Sequence, residues 1–92
     1  MQQNAKTLPL EELIQIVKQA QQQDAKALEQ LVKISEPLIY YNCHKILHNK
    51  DDADDITQDV FVRILENLPT LKDPKQYMRW VKTIAINACN RH

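Results

Sequence analysis

From residue 9 onward, apolar side chains recur every three or four residues, a spacing that predicts α-helices rather than strands. The first predicted helix covers about residues 9–22, and its apolar row consists of Leu10, Leu13, Ile14 and Val17. The second covers about 25–48, begins at Asp24 as its N-cap and carries Pro37 within its apolar row. Because proline lacks a backbone donor, we expect this helix to kink or break near Glu36.

Two further helices are predicted in the second half of the chain. The third covers about 52–68, starts at Asp51 or Asp52, and has an inner face made of Ala53, Thr57, Val60, Phe61, Ile64 and Leu68. The fourth begins at residues 73–76, whose sequence DPKQ combines an acidic N-cap with proline at the first helical position. Since the chain has no glycine, we expect Asn49 to be the left-handed residue that ends the second helix. The prediction is an all-α protein, a compact bundle of about four helices.

Composition and length restrict the class of protein. The chain has 92 residues, of which 43% are hydrophobic, enough for one small domain that is structured over about 9–92. No apolar run approaches the ~20 residues of a membrane span, and the first residues lack a signal-peptide core, so we expect a cytoplasmic protein without a membrane partner. Cys43 and Cys89 form no CxxC pair and are expected to be buried, reduced thiols. The last helix has no stop signal before Arg91 and His92, which suggests a truncated chain.

The charges are separated along the chain although the formal net charge is zero. Residues 49–68 carry two basic and six acidic side chains, a balance of minus four. Residues 69–92 carry five basic and one acidic, a balance of plus four. An acidic helix followed by a basic one indicates either two different partners or an intramolecular face rich in salt bridges.

Two helix faces are candidates for binding. Asp55, Asp59, Val62 and Glu66 share one face of the third helix at helical spacing, with Gln58 beside it. This face is either plainly solvated or bound by a basic partner. On the fourth helix, one stripe of aromatic, amide and basic side chains suits single-stranded nucleic acid: Trp80, Thr83, Asn87 and Arg91, flanked by Gln76, Arg79 and Asn90. The alternative for this stripe is a partly buried Trp80 beside a solvated helix face.

A metal site or a catalytic site is poorly supported. His44 and His48 have the i, i+4 spacing of some zinc ligands, with Cys43 alongside. They lack the HExxH glutamate and a convincing fourth ligand. No nucleophile with a base and an orienting group stands out, and a phosphate-binding loop would need glycine. We therefore expect no metal, no cofactor and no enzymatic activity.

Three motifs in order resemble extracytoplasmic-function (ECF) sigma factors of bacterial RNA polymerase. Residues 52–63, DADDITQDVFVR, are similar to the family's acidic helix, and residues 80–87, WVKTIAIN, are similar to its W-L-x-x-I-A-x-N motif. Upstream, residues 23–31, QDAKALEQL, resemble its G-D-x-x-A-F-x-x-L turn and helix. The resemblance covers about residues 10–92 and implies the sigma region 2 fold.

The resemblance also implies partners and site residues. The acidic helix of this family docks on the clamp helices of the polymerase β′ subunit, which implies core contacts at Asp55, Gln58 and Asp59. The family's last helix and the loop before it, here 68–76, grip the non-template strand of the promoter −10 element and melt it. The residues matched to that role are Leu71, Lys72, Gln76, Arg79, Trp80, Thr83, Asn87 and Arg91. An anti-sigma factor is a further implied partner, and a C-terminal region 4 domain is expected in the complete protein.

The chain departs from the family pattern at three positions. Gln23 replaces the usual glycine of the first turn, Thr83 replaces a frequent arginine, and Leu71 occupies a loop that commonly has phenylalanine. The promoter sequence that is read therefore stays open. The alternative hypothesis is a helical interaction module that binds an anti-sigma factor or another regulator without reading DNA.

Overall fold

The computed structural model describes residues 8–92, which form four α-helices joined by short turns. Helix α1 covers Leu10–Gln21, α2 covers Ala25–Leu47, α3 covers Lys50–Asn67 and α4 covers Tyr77–Arg91. Two short 3-10 turns, Leu68–Thr70 and Pro74–Gln76, lie between α3 and α4. The described residues contain no strand, and none of their helices is long and apolar enough to cross a membrane. The predicted all-α class is confirmed.

Helix α2 is the centre of the bundle, because it packs against α1, α3 and α4, and α3 also packs against α4. Helix α1 additionally contacts the turn that precedes α4. The described part measures 36 × 35 × 20 Å, which corresponds to two layers of helices. Such a thin bundle leaves a large part of each helix open to partners.

Local capping explains most of the helix boundaries and corrects two predictions. Asp24 caps α2 by accepting a hydrogen bond from the Ala27 amide at 3.0 Å, as predicted. The prediction for Asn49 is wrong. His48 takes the left-handed conformation with φ of 56°, and the Asn49 side chain instead caps α3 through the Asp52 amide at 3.0 Å. Helix α3 therefore starts at Lys50, two residues before the predicted 52.

Pro37 lies inside α2 without breaking it, because the helix continues from Ala25 to Leu47. Of the predicted kink or break near Glu36, the break is therefore wrong. Packing of α2 against three other elements holds the helix together across the missing backbone donor. The predicted cap at Asp73 is confirmed, because its side chain accepts a hydrogen bond from the Lys75 amide at 3.1 Å. The capped residues form a 3-10 turn that leads into α4.

The predicted apolar rows form the core, with a few exchanges. Leu10 is 54% exposed and does not belong to the core, because it begins α1 at the edge of the bundle. Ile16, Ala20 and Ile56 are buried although the predicted rows omit them. Both cysteines are free and buried, as expected. The inner face predicted for the third helix is confirmed: Ala53, Thr57, Val60, Ile64 and Leu68 are buried, and Phe61 packs against the core.

One buried polar pair joins α2 to α4. The hydroxyls of Ser35 and Tyr77 lie 2.7 Å apart, and both side chains are fully buried. Ser35 Oγ donates to the Leu31 carbonyl at 2.7 Å, so the tyrosine hydroxyl donates to Ser35. Burial raises the pKa of Tyr77 above its ordinary value of 10.0. Each hydroxyl has a partner, so the pair carries no unmet desolvation cost.

Candidate functional site

A groove between α3 and α4 contains three of the eight predicted DNA-contacting residues, Trp80, Asn87 and Arg91. It encloses about 220 Å³ and is lined by seven residues: Arg63, Asn67, Thr70, Trp80, Ile84, Asn87 and Arg91. Trp80, Ile84, Asn87 and Arg91 follow one row of α4 because they recur every three or four residues. Arg63 and Asn67 come from the facing edge of α3, and Thr70 comes from the turn that follows it.

The groove combines an indole, an aliphatic side chain, two guanidinium groups and two amides. Trp80 is half-buried and packs partly on the core, with its ring 6.0 Å from that of Tyr77. The predicted alternative of a partly buried tryptophan therefore applies to the ring, yet the same ring also lines the groove. An aromatic wall with amides and fixed positive charge can stack a base, hydrogen-bond its edge and contact a phosphate.

The remaining predicted DNA-contacting residues lie outside this groove. Arg79 and Thr83 are exposed on the neighbouring row of α4, where the Thr83 hydroxyl donates to the Arg79 carbonyl at 3.1 Å. Lys72 and Gln76 are exposed in the segment before α4. Leu71 is half-buried and packs against the core. These five residues lie in the segment before α4 or on its exposed positions and do not line the groove.

Sequence reasoning missed the α3 side of the groove. Arg63, Asn67 and Thr70 follow each other at i, i+4 and i+7, a polar row that could have been noticed beside the acidic one. The Asn67 amide nitrogen donates to the Arg63 carbonyl at 2.8 Å, and the Thr70 hydroxyl donates to the Asn67 carbonyl at 2.6 Å. Each bond uses one hydrogen, so Asn67 Oδ1, the second Asn67 amide hydrogen and the Thr70 oxygen stay available to a ligand.

The acidic residues of α3 form a separate exposed row. Asp55, Gln58 and Asp59 are exposed, and within residues 8–92 neither carboxylate lies within 4.0 Å of a basic group. Val62, on the same face, is 53% exposed. Within residues 8–92, the acidic row and the basic groove therefore do not form the intramolecular face rich in salt bridges that was one of the two alternatives. Each faces outward separately.

The histidine pair is part of a helix junction. His44 Nε2 lies 3.6 Å from an oxygen of Asp54, which also pairs with Lys50 at 3.0 Å. The hydrogen bond from Lys50 is the main reason that the pKa of Asp54 lies below its ordinary 3.8. His48 is the left-handed residue after α2. Across residues 8–92, no three His, Cys, Asp or Glu side chains are grouped to hold a metal ion.

The chain belongs to the Sigma-70 region 2 family, whose model matches residues 31–92. This assignment confirms the resemblance seen in the motifs at residues 52–63 and 80–87, which lie within the matched range. The chain is also similar to the ECF RNA polymerase sigma factor SigW of Bacillus subtilis (strain 168), with 31% identity over 71 residues. The alignment covers 77% of this chain and 38% of that relative. No solved structure gives a significant match.

Proposed function

We propose that this chain binds core RNA polymerase and holds one unpaired strand of promoter DNA during transcription initiation. The observation that carries the proposal is the groove between α3 and α4, with its indole, guanidinium and amide groups. Membership of the Sigma-70 region 2 family supports a role in transcription initiation. The chain acts in the cytoplasm by binding and not by catalysis, and this role needs neither a cofactor nor a metal.

Within the groove, each group has a distinct task. Trp80 stacks on one base, an interaction of about 1–3 kcal/mol. The guanidinium groups of Arg63 and Arg91 contact the flanking phosphates, while Asn67 and Asn87 hydrogen-bond the base edge. Extruding a base from duplex DNA costs a few kcal/mol. Since the groove binds only the extruded base, strand capture offsets part of this cost and favours the melted −10 element.

The exposed residues around the groove extend the strand path. Lys72 and Gln76 in the loop and Arg79 and Thr83 on α4 lie on a segment with a net charge of plus four. Such a surface attracts the sugar-phosphate backbone without selecting a sequence. Leu71 is a half-buried apolar residue that follows Thr70, which lines the groove, and packs on the core. We assign base selection to the groove and general strand affinity to this surrounding surface.

The acidic row on α3 is the proposed contact with the polymerase. Asp55, Gln58 and Asp59 face solvent, and the two carboxylates have no basic partner within residues 8–92. A carboxylate row with the exposed apolar side chain of Val62 in its middle suits a basic helical surface. The clamp helices of the β′ subunit are the corresponding partner in ECF sigma factors.

An exposed aromatic surface on α2 supports a second candidate, in which the chain mainly binds a regulatory protein such as an anti-sigma factor. Tyr40 and Tyr41 are 42% and 63% exposed, and with Pro37 and His44 they line a shallow, mostly apolar groove. Aromatic side chains are enriched at protein interfaces. Crosslinking to a DNA strand in the presence of polymerase distinguishes the candidates, because only the first places DNA against α4.

The first test is binding of the chain to bacterial core RNA polymerase by titration. We expect Asp55→Lys to weaken this binding by about tenfold or more, because it places a cation against a basic surface. The control is Glu12→Lys, which makes the same charge change at an exposed position of α1. Equal loss in both variants, or no binding by the unmodified chain, would refute the polymerase contact.

A further inference from the structure

The side chain of Gln21, the last residue of α1, reaches the turn between α3 and α4. Its Nε2 donates to the Leu68 carbonyl at 3.1 Å and to the Leu71 carbonyl at 2.8 Å. These acceptors lie 47 and 50 residues further along the chain. One amide group thus holds both ends of the short turn that forms the rim of the groove.

The turn has two further hydrogen bonds, and both are local. The Leu71 amide donates to the Leu68 carbonyl at 3.1 Å, and the Thr70 hydroxyl donates to the Asn67 carbonyl at 2.6 Å. Leu68 is anchored in the core at 1% exposure, whereas Leu71 is only half-buried. Gln21 is therefore a side-chain bridge between the two carbonyls, in addition to the backbone bond, and Thr70, which lines the groove, lies between them in the chain.

We propose that Gln21 is a positioning residue for strand recognition: by fixing the 68–71 turn, it sets which base the groove accepts. Gln21 does not line the groove itself and acts through Thr70 and the start of the loop at Leu71. The inference rests on the proposed function of the groove as a base-binding site. It gives helix α1, which carries none of the proposed contacts, a part in sequence selection.

The chemistry of the contact requires a donor at position 21. A glutamine amide nitrogen has two hydrogens, one for each carbonyl. Glutamate has nearly the same shape but offers only acceptors, so it would face two carbonyl oxygens and release the turn. Lysine keeps three donors on a side chain that is long enough to reach the same carbonyls. Glutamate and lysine at this position therefore give opposite expectations for the turn.

The test uses the chain bound to core RNA polymerase and a single-stranded DNA probe. Wild-type complex first selects a preferred strand from a randomised pool of short oligonucleotides. Affinities for that strand and for versions with each single base replaced then give a base selectivity at every position. We expect Gln21→Glu to lower selectivity at one position by about tenfold, since a donor lost from a partly buried contact leaves carbonyls unpaired. Gln21→Lys should keep most of the wild-type selectivity.

Gln22 provides matched controls one residue further on. Its side chain is exposed and donates no hydrogen bond to the loop in the described chain. Gln22→Glu and Gln22→Lys therefore add the same charges at nearly the same place without touching the turn. Comparing each pair removes the general effect of charge on DNA affinity. Affinity for core polymerase should stay at the wild-type level in all four variants.

The outcomes separate the inference from the function on which it rests. A wild-type complex that selects no strand from the pool would refute the base-binding groove itself. Wild-type selection together with equal selectivity in Gln21→Glu and Gln22→Glu would overturn only the positioning role. If circular dichroism shows that Gln21→Glu does not fold, Gln21→Met replaces it, because methionine removes the donors without adding charge. Wild-type selectivity in Gln21→Met would then overturn the proposal.

Discussion

At the scale of single residues, the two asparagines of the groove differ in what they leave open for a ligand. The Asn67 side-chain amide donates one of its hydrogens to the Arg63 carbonyl. The Asn87 side chain makes no hydrogen bond within residues 8–92 and is exposed along the groove. An unpaired amide presents both a donor and an acceptor, the combination that reads a base edge by two hydrogen bonds. Asn87 is therefore the residue on which base recognition should depend most.

We predict that Asn87→Ala weakens capture of a −10-like single strand by the polymerase-bound chain, by about 1–3 kcal/mol. Binding to core polymerase should be unchanged, because the acidic row of α3 is untouched. Strand affinity measured by fluorescence anisotropy in the polymerase complex checks both statements.

Asn90→Ala is the matched control for this prediction, since Asn90 is an exposed asparagine of α4 that does not line the groove. Its strand affinity should equal that of the wild type. Unchanged affinity in Asn87→Ala would remove Asn87 from the DNA-reading assignment. An equal loss in both variants would mean that the asparagines act only through the general polarity of the helix.

At the scale of elements, the turn from α1 to α2 shows how the chain manages without glycine. The Gln23 amide donates to the Ala20 carbonyl at 2.9 Å, and the Asp24 amide donates to the Gln19 carbonyl at 3.2 Å. This pair of bonds is the Schellman arrangement, which places its left-handed residue at Gln23 with φ of 68°. Glycine is the usual residue there because a Cβ atom costs roughly 1–2 kcal/mol in that conformation.

We predict that Gln23→Gly stabilises the chain by up to about 1 kcal/mol, because relief of the left-handed strain exceeds the added freedom of the unfolded chain. Chemical denaturation followed by circular dichroism measures the change in free energy of unfolding. Gln22→Gly is the control: Gln22 has φ of −90°, so glycine there relieves no strain and should destabilise the chain. Stabilisation by both substitutions would contradict the assignment of strain to Gln23.

Helix α3 is the element that connects the two proposed activities. Asp55, Gln58 and Asp59 face outward on one side of the helix, whereas Arg63 and Asn67 lie on the edge toward α4. A shallow surface lined by Asp59, Val62, Arg63, Glu66 and Asn67 links the two sides. Under the proposed function, α3 would therefore contact the polymerase on its acidic side and the DNA strand on its other side.

At the scale of the whole molecule, buried titratable groups between α2 and α4 should lower the free energy of unfolding as the pH becomes alkaline. Burial raises the pKa of Tyr77 above 10.0, and burial together with the neighbouring Cys43 thiol raises the pKa of Cys89 from 9.0 to about 12. In the unfolded chain these groups lose their protons at lower pH than in the folded chain. Their contribution to stability is therefore fully present below about pH 9 and is lost as the pH rises toward 12.

We predict that the free energy of unfolding falls between about pH 9 and pH 12, and that it falls less steeply in Tyr77→Phe than in the wild type. Urea denaturation at several pH values gives the slope for each protein. Tyr41→Phe is the control, because Tyr41 is 63% exposed and its loss should leave the slope unchanged. Equal slopes in the wild type and Tyr77→Phe would show that the buried tyrosine does not ionise on unfolding as proposed.

Much of this architecture follows from local rules that the sequence carries openly. Helical spacing of apolar residues predicts the four helices, and Asp24 and Asp73 mark two of the starts through their own side chains. The sequence-based predictions are wrong where one residue suits two different local structures, or where packing outweighs a local preference. Asn49 is suited both to ending a helix and to starting one, and in the two-residue turn after α2 it caps the start of α3 while His48 takes the left-handed conformation. Pro37 breaks isolated helices, but packing on three sides keeps α2 continuous.

The sequence by itself determined the class of fold, the family, the acidic row on α3 and the α4 side of the groove, because these lie within single helices whose periodicity places them on one face. Only the tertiary structure decided which residues of other elements lie opposite these helix faces. The approach of α3 to α4 brings Arg63 and Asn67 to Trp80 and Asn87, and the packing of α1 brings Gln21 to Leu68 and Leu71. Contacts across tens of residues depend on how helices pack, and no short-range pattern records them.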